Sequence, residues 1–254
     1  MRGGSLDAAR TTFSTRARTH ERTAATMNAP SPEVIELALV ARPALYGALY
    51  GVFGNEPSDE LLGGLGGDEL RTLVDALMGE RGAELLAALA GAAARARGEG
   101  DAGVDRLEGA YNRLFVGPAK PEAGPWESLH RGKEGTLFCQ TTLDVRRCYV
   151  EQGLIPRSYP HVADDHVALE IDFVRRLGER ARDAWAAGDR GAAAAALAAS
   201  REFLDDHLGV WIGPWAEALE QAPHGELYRE AARLLEAYVA CDLQLLGELK
   251  EALG

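Results

Sequence analysis

Residues 111–128, YNRLFVGPAKPEAGPWES, carry a helix into a proline-rich loop. Leu114, Phe115 and Val116 end an apolar run, and Gly117-Pro118 stops it, because glycine is loose and proline lacks the N–H that would continue the ladder. The loop finishes on Trp126, set between Pro125 and Glu127. A solvated connection has no need of a tryptophan. The loop is therefore expected either to pack onto the core or to hold an aromatic ready for a partner.

On both sides of this loop the apolar residues recur with a helical period. Ser31-Pro32-Glu33 reads as a capping residue followed by proline at the first helical position. The helix it opens runs to about Phe53, with Leu37, Val40, Ala41, Ala44, Leu45, Ala48 and Leu49 three or four residues apart. A short helix from about Ser58 stops in the glycines of residues 63–67. Helices over 68–78 and 83–97 flank residues 79–82, and residues 98–103 read as a flexible link before a helix over 104–115. Beyond the loop, residues 143–152 are helical, and Asp164 is placed as the cap of a helix carrying two apolar stripes. Val167, Ile171 and Val174 form one, and Leu169, Phe173 and Leu177 the other. Residues 189–207 form an Ala-rich helix, Gly213-Pro214 interrupts the pattern, and residues 225–253 form a long final helix. No run alternates over strand length. The expected fold class is all-α, one domain over residues 31–254 built as a bundle of roughly nine to eleven helices.

A chain of 254 residues can bury a core without metal or disulfide staples. Its formal charge of −12 argues against nucleic-acid binding, which calls for a clustered basic face. Cys139, Cys148 and Cys241 are widely spaced, with no C-x-x-C pair, so they form neither a disulfide framework nor a zinc pattern and fit a reducing cytoplasm. No run approaches the roughly 18 apolar residues of a bilayer span, so none is expected. Residues 1–30 set Arg2, Arg10, Arg16, Arg18 and Arg22 among serines and threonines. They read as a disordered tail, with Met27 a candidate start.

Asp164-Asp165-His166 is the polar cluster that invites a chemical reading. One carboxylate suffices to cap a helix, and a second beside an imidazole makes a polar site of switchable charge. A metal-dependent hydrolase using Asp164, Asp165 and His166, with His161, His130 or His207 as further ligands, is one reading, although no H-x-x-x-H or H-x-x-E-H pair fixes two ligands on one helix face. The order Asp then His is also the reverse of the His-Asp pair of phosphohydrolases. No G-x-S-x-G elbow occurs, and residues 63–67 lack the strand and the Lys-Ser/Thr of a phosphate loop. Phe203, His207, Leu208, Trp211 and Trp215 fit a packed helix and its end, with His207 capping carbonyls. Alternatively, they line an aromatic cleft with Trp126 suited to a peptide.

In order, the motifs are Tyr111-x-Arg113-Leu114-Phe115-x-Gly117-Pro118, Pro125-Trp126-Glu127-Ser128, Thr141-Thr142-Leu143-x-Val145-Arg146, Asp164-Asp165-His166-x-Ala168-Leu169-Glu170, and Phe203-Leu204-x-x-His207-Leu208-x-x-Trp211. This order resembles the TorD/DmsD family of cytoplasmic chaperones that assist assembly of molybdenum-containing oxidoreductases, over nearly the whole chain from about Pro32. The resemblance implies an all-helical chaperone without catalysis or cofactor, monomeric or homodimeric. It would bind the twin-arginine signal peptide of a molybdopterin-dependent precursor and hold it back from export. The signal-binding surface implied falls on Pro125, Trp126, Asp165 and His166, with Glu127 and Asp164 beside them. Carboxylates would meet the ligand's guanidinium groups, an aromatic groove its apolar run, and the net negative charge would steer it. Relatives often carry an aromatic where this chain has His130.

Overall fold

In the computed structural model, residues 31–117, 119–131, 137–156 and 162–253 are described, and all regular structure among them is helical. The expected tail over residues 1–30 and His161 lie outside these residues. In chain order the helices are α1 (Pro32–Gly54), α2 (Asp59–Gly64), α3 (Asp68–Gly98), α4 (Asp101–Tyr111), α5 (Glu127–Arg131), α6 (Gln140–Glu151), α7 (Val167–Ala186), α8 (Arg190–Phe203), α9 (Gly209–Gln221) and α10 (Glu226–Leu253). Two π-helical turns join them, Asn112–Val116 after α4 and Leu204–Leu208 between α8 and α9.

α1 packs along α7, α7 along α8, and α10 closes the bundle against α3 and α9. Gly178 of α7 lies against the Pro43 ring of α1, where a side chain would be in van der Waals contact with the ring. α1 corrects two expectations. Its buried face is Ile35, Ala38, Leu39, Leu45, Tyr46, Leu49, Val52 and Phe53, whereas Leu37 and Val40 are exposed. It is also 23 residues long with a mean hydropathy of 1.3 over an 18-residue window, long and apolar enough to cross a membrane. In this fold most of it is instead buried in the core, and its mid-helix Arg42 is paired with Asp242 of α10 at 2.6 and 2.9 Å.

Other boundaries shift for local reasons. Within α3 only Gly79 leaves helical geometry, at φ +59, which glycine adopts without steric cost, so the break expected over residues 79–82 narrows to one residue. The link expected over residues 98–103 is short as well, because α4 restarts at Asp101. Gly213-Pro214 does not interrupt α9, and the irregularity falls earlier, in the π turn that carries His207. Ser31 makes no side-chain cap bond.

An aromatic cluster sets the proline-rich loop in place. Phe53, Tyr111, Phe115, Trp215 and Tyr228 meet at centroid distances of 5.0–6.3 Å, mostly edge to face, the favoured aromatic geometry. This fixes the π turn that launches the loop. Gly117 then reverses the chain at φ +116, and Ala123 is caught from both sides, its N–H donating to Leu114 O and its carbonyl accepting from Trp215 Nε1 at 3.1 Å.

Candidate functional site

The loop and the Asp-Asp-His turn are one structure. Glu127 N donates to Asp165 O at 3.0 Å and Val167 N donates to Pro125 O at 2.8 Å, an isolated antiparallel bridge that sets Trp126 opposite His166. Their rings meet edge to face at 5.4 Å. Pro125 is buried, Trp126 and His166 are half-buried, and the Trp126 Nε1–H is buried without an acceptor. Of the two alternatives for the loop, both hold in part: it packs onto the core and leaves part of one aromatic showing.

The carboxylates are spent inside the protein. Asp165, fully buried, accepts from the Ser128 backbone N–H and from the Thr142 hydroxyl, each at 2.9 Å, so it caps α5 and ties α6 to the turn. Asp164 does not cap α7. Its Oδ2 takes Arg146 at 2.7 and 2.9 Å, and its carbonyl takes the Tyr149 hydroxyl at 2.9 Å. His166 is the cap of α7, its Nδ1 accepting from Ala168 N at 3.1 Å. Among the described residues no three His, Cys, Asp or Glu side chains converge as a metal set, and Asp164, Asp165 and His166 are bonded within the protein, while His161, a further ligand of the hydrolase reading, lies outside those residues.

Behind the loop lies a buried relay. Glu127, at 0% exposure, receives His207 Nδ1 at 3.1 Å and Arg131, while His207 Nε2 faces Cys148 Sγ at 3.6 Å. Glu170 stands next to Glu127 and accepts from Trp211 Nε1 at 3.0 Å. Burial and the neighbouring Glu127 push its carboxyl well above the usual carboxylate range. His207 therefore caps no carbonyl. Nor do Trp211 and Trp215 line a cleft with Trp126: both are fully buried and serve the core and the loop.

The opening beside the bridge is a cleft of about 540 Å³ between α1, α4, α6 and α7. Tyr50, Tyr111, Tyr149, Leu154, Ile155 and Phe173 give it aromatic and apolar walls, and His166, Asp172 and Arg176 give it polar ones. Asp172 is held by Arg175 at 2.8 Å and Arg176 at 2.7 Å from its own helix.

The family model described as nitrate reductase delta subunit matches residues 74–217, more than half of the chain and the whole of this site apart from Tyr50 and Gly54 of α1. The chain belongs to the TorD/DmsD family of chaperones. It is 26% identical over 209 residues to the chaperone protein TorD of Vibrio cholerae, covering 82% of this chain and 93% of that one. With the TorD of Shewanella loihica it shares 25% over 235 residues, 87% and 100% of the two chains. A third relative, the Tat proofreading chaperone DmsD of Salmonella typhi, is 30% identical over 78 residues, 31% and 38% of the two.

In this TorD/DmsD chain α6 joins the site, a role not expected of it from the sequence. Thr142, Arg146 and Tyr149 stand at positions i, i+4 and i+7, one helix face, and that polar stripe was the available signal that α6 clasps the Asp-Asp turn. His207 and Glu127 lie 80 residues apart with nothing local to join them.

The two histidines pull stability in opposite directions with pH. Burial lowers the His166 pKa to about 4, against the smaller opposing pull of Asp165. Burial also disfavours charge on His207, but its bonds to Cys148 and Glu127 win and raise it to about 9. Below pH 6.5 the unfolded chain takes a proton at His166 that the folded chain refuses until about pH 4, so stability falls on acidification. Above pH 6.5 the unfolded chain has released the His207 proton that the folded chain keeps to about pH 9, so stability falls again. Urea unfolding should show each limb losing on the order of 1–3 kcal/mol, with His207→Gln flattening the alkaline limb and His166→Asn the acid one. A profile unaltered by either variant would contradict this assignment.

Proposed function

We propose that this chain is a cytoplasmic chaperone that binds the twin-arginine signal peptide of a molybdopterin-dependent oxidoreductase precursor and assists its maturation before export. Binding rather than turnover is its activity. The observation that carries the proposal is the Trp126–His166 bridge at the edge of the 540 Å³ cleft. It joins the two motifs that the family resemblance assigns to signal recognition and sets them beside an aromatic and apolar trough. The relatives named TorD and the Tat proofreading chaperone DmsD support the same reading.

The roles within the site differ from the first expectation. Glu127, Asp164 and Asp165 act as positioning residues, because their oxygens already serve α5, α6 and His207. Pro125 fixes the bridge, and Trp126 and His166 face the ligand. Asp172 is the carboxylate in the cleft wall, and a ligand guanidinium would exchange with Arg176 there rather than meet a bare charge. The chain's net charge of −12 favours approach of a cationic peptide.

Isothermal titration with synthetic twin-arginine signal peptides from molybdoenzymes of the same genome, each paired with a Lys-Lys control, tests the proposal. Binding of one peptide with micromolar or tighter affinity, weakened in its control, is expected. Trp126→Ala should then cost roughly 1–3 kcal/mol of that affinity without loss of fold. No binding by any peptide, or an affinity indifferent to Trp126, would overturn it.

A further inference from the structure

Three elements bring a thiol, an imidazole and a carboxylate into line. Cys148 comes from α6, His207 from the π turn Leu204–Leu208, and Glu127 from the start of α5. The distances are 3.6 Å from Sγ to Nε2 and 3.1 Å from Nδ1 to Oε2. Glu127 and His207 are buried, whereas Cys148 is partly exposed. We infer that Cys148 is a built modification site, a thiol that forms mixed disulfides with small soluble disulfides while His207 meets the charge on its sulfur.

The orientation follows from who can donate. Glu127 accepts, so the His207 Nδ1 carries a proton toward it, and Nε2 is left to share a proton with the sulfur. The Phe203 ring, 5.0 Å away at 32°, holds the imidazole plane. This is the nucleophile, base and orienting group of covalent catalysis, placed where an extra residue per turn widens the helix. Arg131 of α5 pairs with Glu127 on one side, and Glu170 of α7 lies against the same carboxylate. Asp164, Asp165 and Tyr149 belong to the same buried electrostatic cluster as Glu127 and Glu170.

The exchange balances without a further reactant. The Cys148 sulfur attacks one sulfur of the incoming disulfide as the thiolate, its proton lost to solvent and its charge met by the Nε2–H of the His207 imidazolium. A Cys148 S–S bond forms, the original S–S bond breaks, and the departing thiolate takes a proton from solvent. Cys148 is oxidised and half of the small disulfide is reduced. A free thiol reverses the step.

The other two cysteines are internal controls, since all three are partly exposed. Cys241 donates its S–H to Leu77 O at 3.3 Å, and burial raises its pKa. Cys139 stands at the first turn of α6, away from any imidazole partner in the relay. Fully reduced protein is to be incubated with oxidised glutathione near neutral pH, quenched in acid, and mapped by mass spectrometry. Cys148 should be modified about tenfold faster than Cys241, and His207→Gln should remove that excess while leaving Cys139 unchanged. Equal rates at Cys148 and Cys241, or a Cys148 rate indifferent to His207→Gln, would overturn the inference. Should the variant unfold, seen as loss of near-ultraviolet dichroism, iodoacetamide alkylation of the wild-type chain across pH decides. Cys148 must keep its reactivity at pH values where that of Cys241 has collapsed, and parallel profiles would refute the site.

Discussion

Asp242→Ala is expected to lower the stability of the fold by about 3–5 kcal/mol, more than any other single substitution considered. Arg42 and Asp242 are both at 0% exposure, and the pair is bidentate, with the Tyr46 hydroxyl adding a third bond at 2.9 Å to the same carboxylate. The three groups join α1 to α10. Arg42 cannot shed its charge, since the carboxylate holds its proton more tightly still and its pKa lies above the normal range in spite of burial. Removing Asp242 therefore strands a guanidinium whose Nη1 already lacks a partner. Urea unfolding gives the comparison. The double variant Arg42→Met with Asp242→Leu should recover most of the loss, because well-packed apolar residues commonly match a buried ion pair. A loss below about 1 kcal/mol for Asp242→Ala would mean that water reaches Arg42, which the packing excludes.

The same pair shows what kind of information the sequence holds. Helical periodicity made the fold class and most helices legible, and Gly79 announced its break because only that residue type accepts φ +59 at no cost. Periodicity fails where a helix carries apolar residues on more than one face. Leu37 and Val40 have the spacing of a core stripe, yet the buried face of α1 is set by which side meets α7 and by Arg42 needing Asp242, a partner 200 residues away. The site follows the same division. Pro125, Trp126, Asp165 and His166 could be singled out because each is an odd residue for its place in a loop or turn. Their roles could not, because a carboxylate in sequence looks alike whether it faces solvent or caps another helix. Asp164 stands two residues nearer the chain start than the residue that caps, and Asp165 caps α5 instead of α7. The Glu127–His207–Cys148 relay is assembled from three segments with no shared local pattern, so nothing short of the fold brings it together.

Asp165→Ala is the corresponding experiment at the site, and about 3–4 kcal/mol of stability should be lost. Two buried donors, the Ser128 N–H and the Thr142 hydroxyl, would lose a charged acceptor at once, and α5 would lose its cap. Asp165→Asn keeps one acceptor oxygen and turns the other into a donor facing a donor, so roughly half of the loss is expected. Asp164→Ala should cost less than either, about 1 kcal/mol, since the pair is 36% exposed on its Arg146 side and water screens it. The order Asp165→Ala, Asp165→Asn, Asp164→Ala is the diagnostic feature, and a reversal of the first and last would show that the turn is held through Arg146 rather than through the cap. Affinity for a signal peptide separates the two carboxylates further. Without Asp165 the bridge that aligns Trp126 with His166 loses its anchor to both α5 and α6, so peptide binding should weaken even at temperatures where the variant remains folded. Loss of Asp164 leaves the Glu127 N–H to Asp165 O bond and the Val167 N–H to Pro125 O bond in place, so there binding should hold.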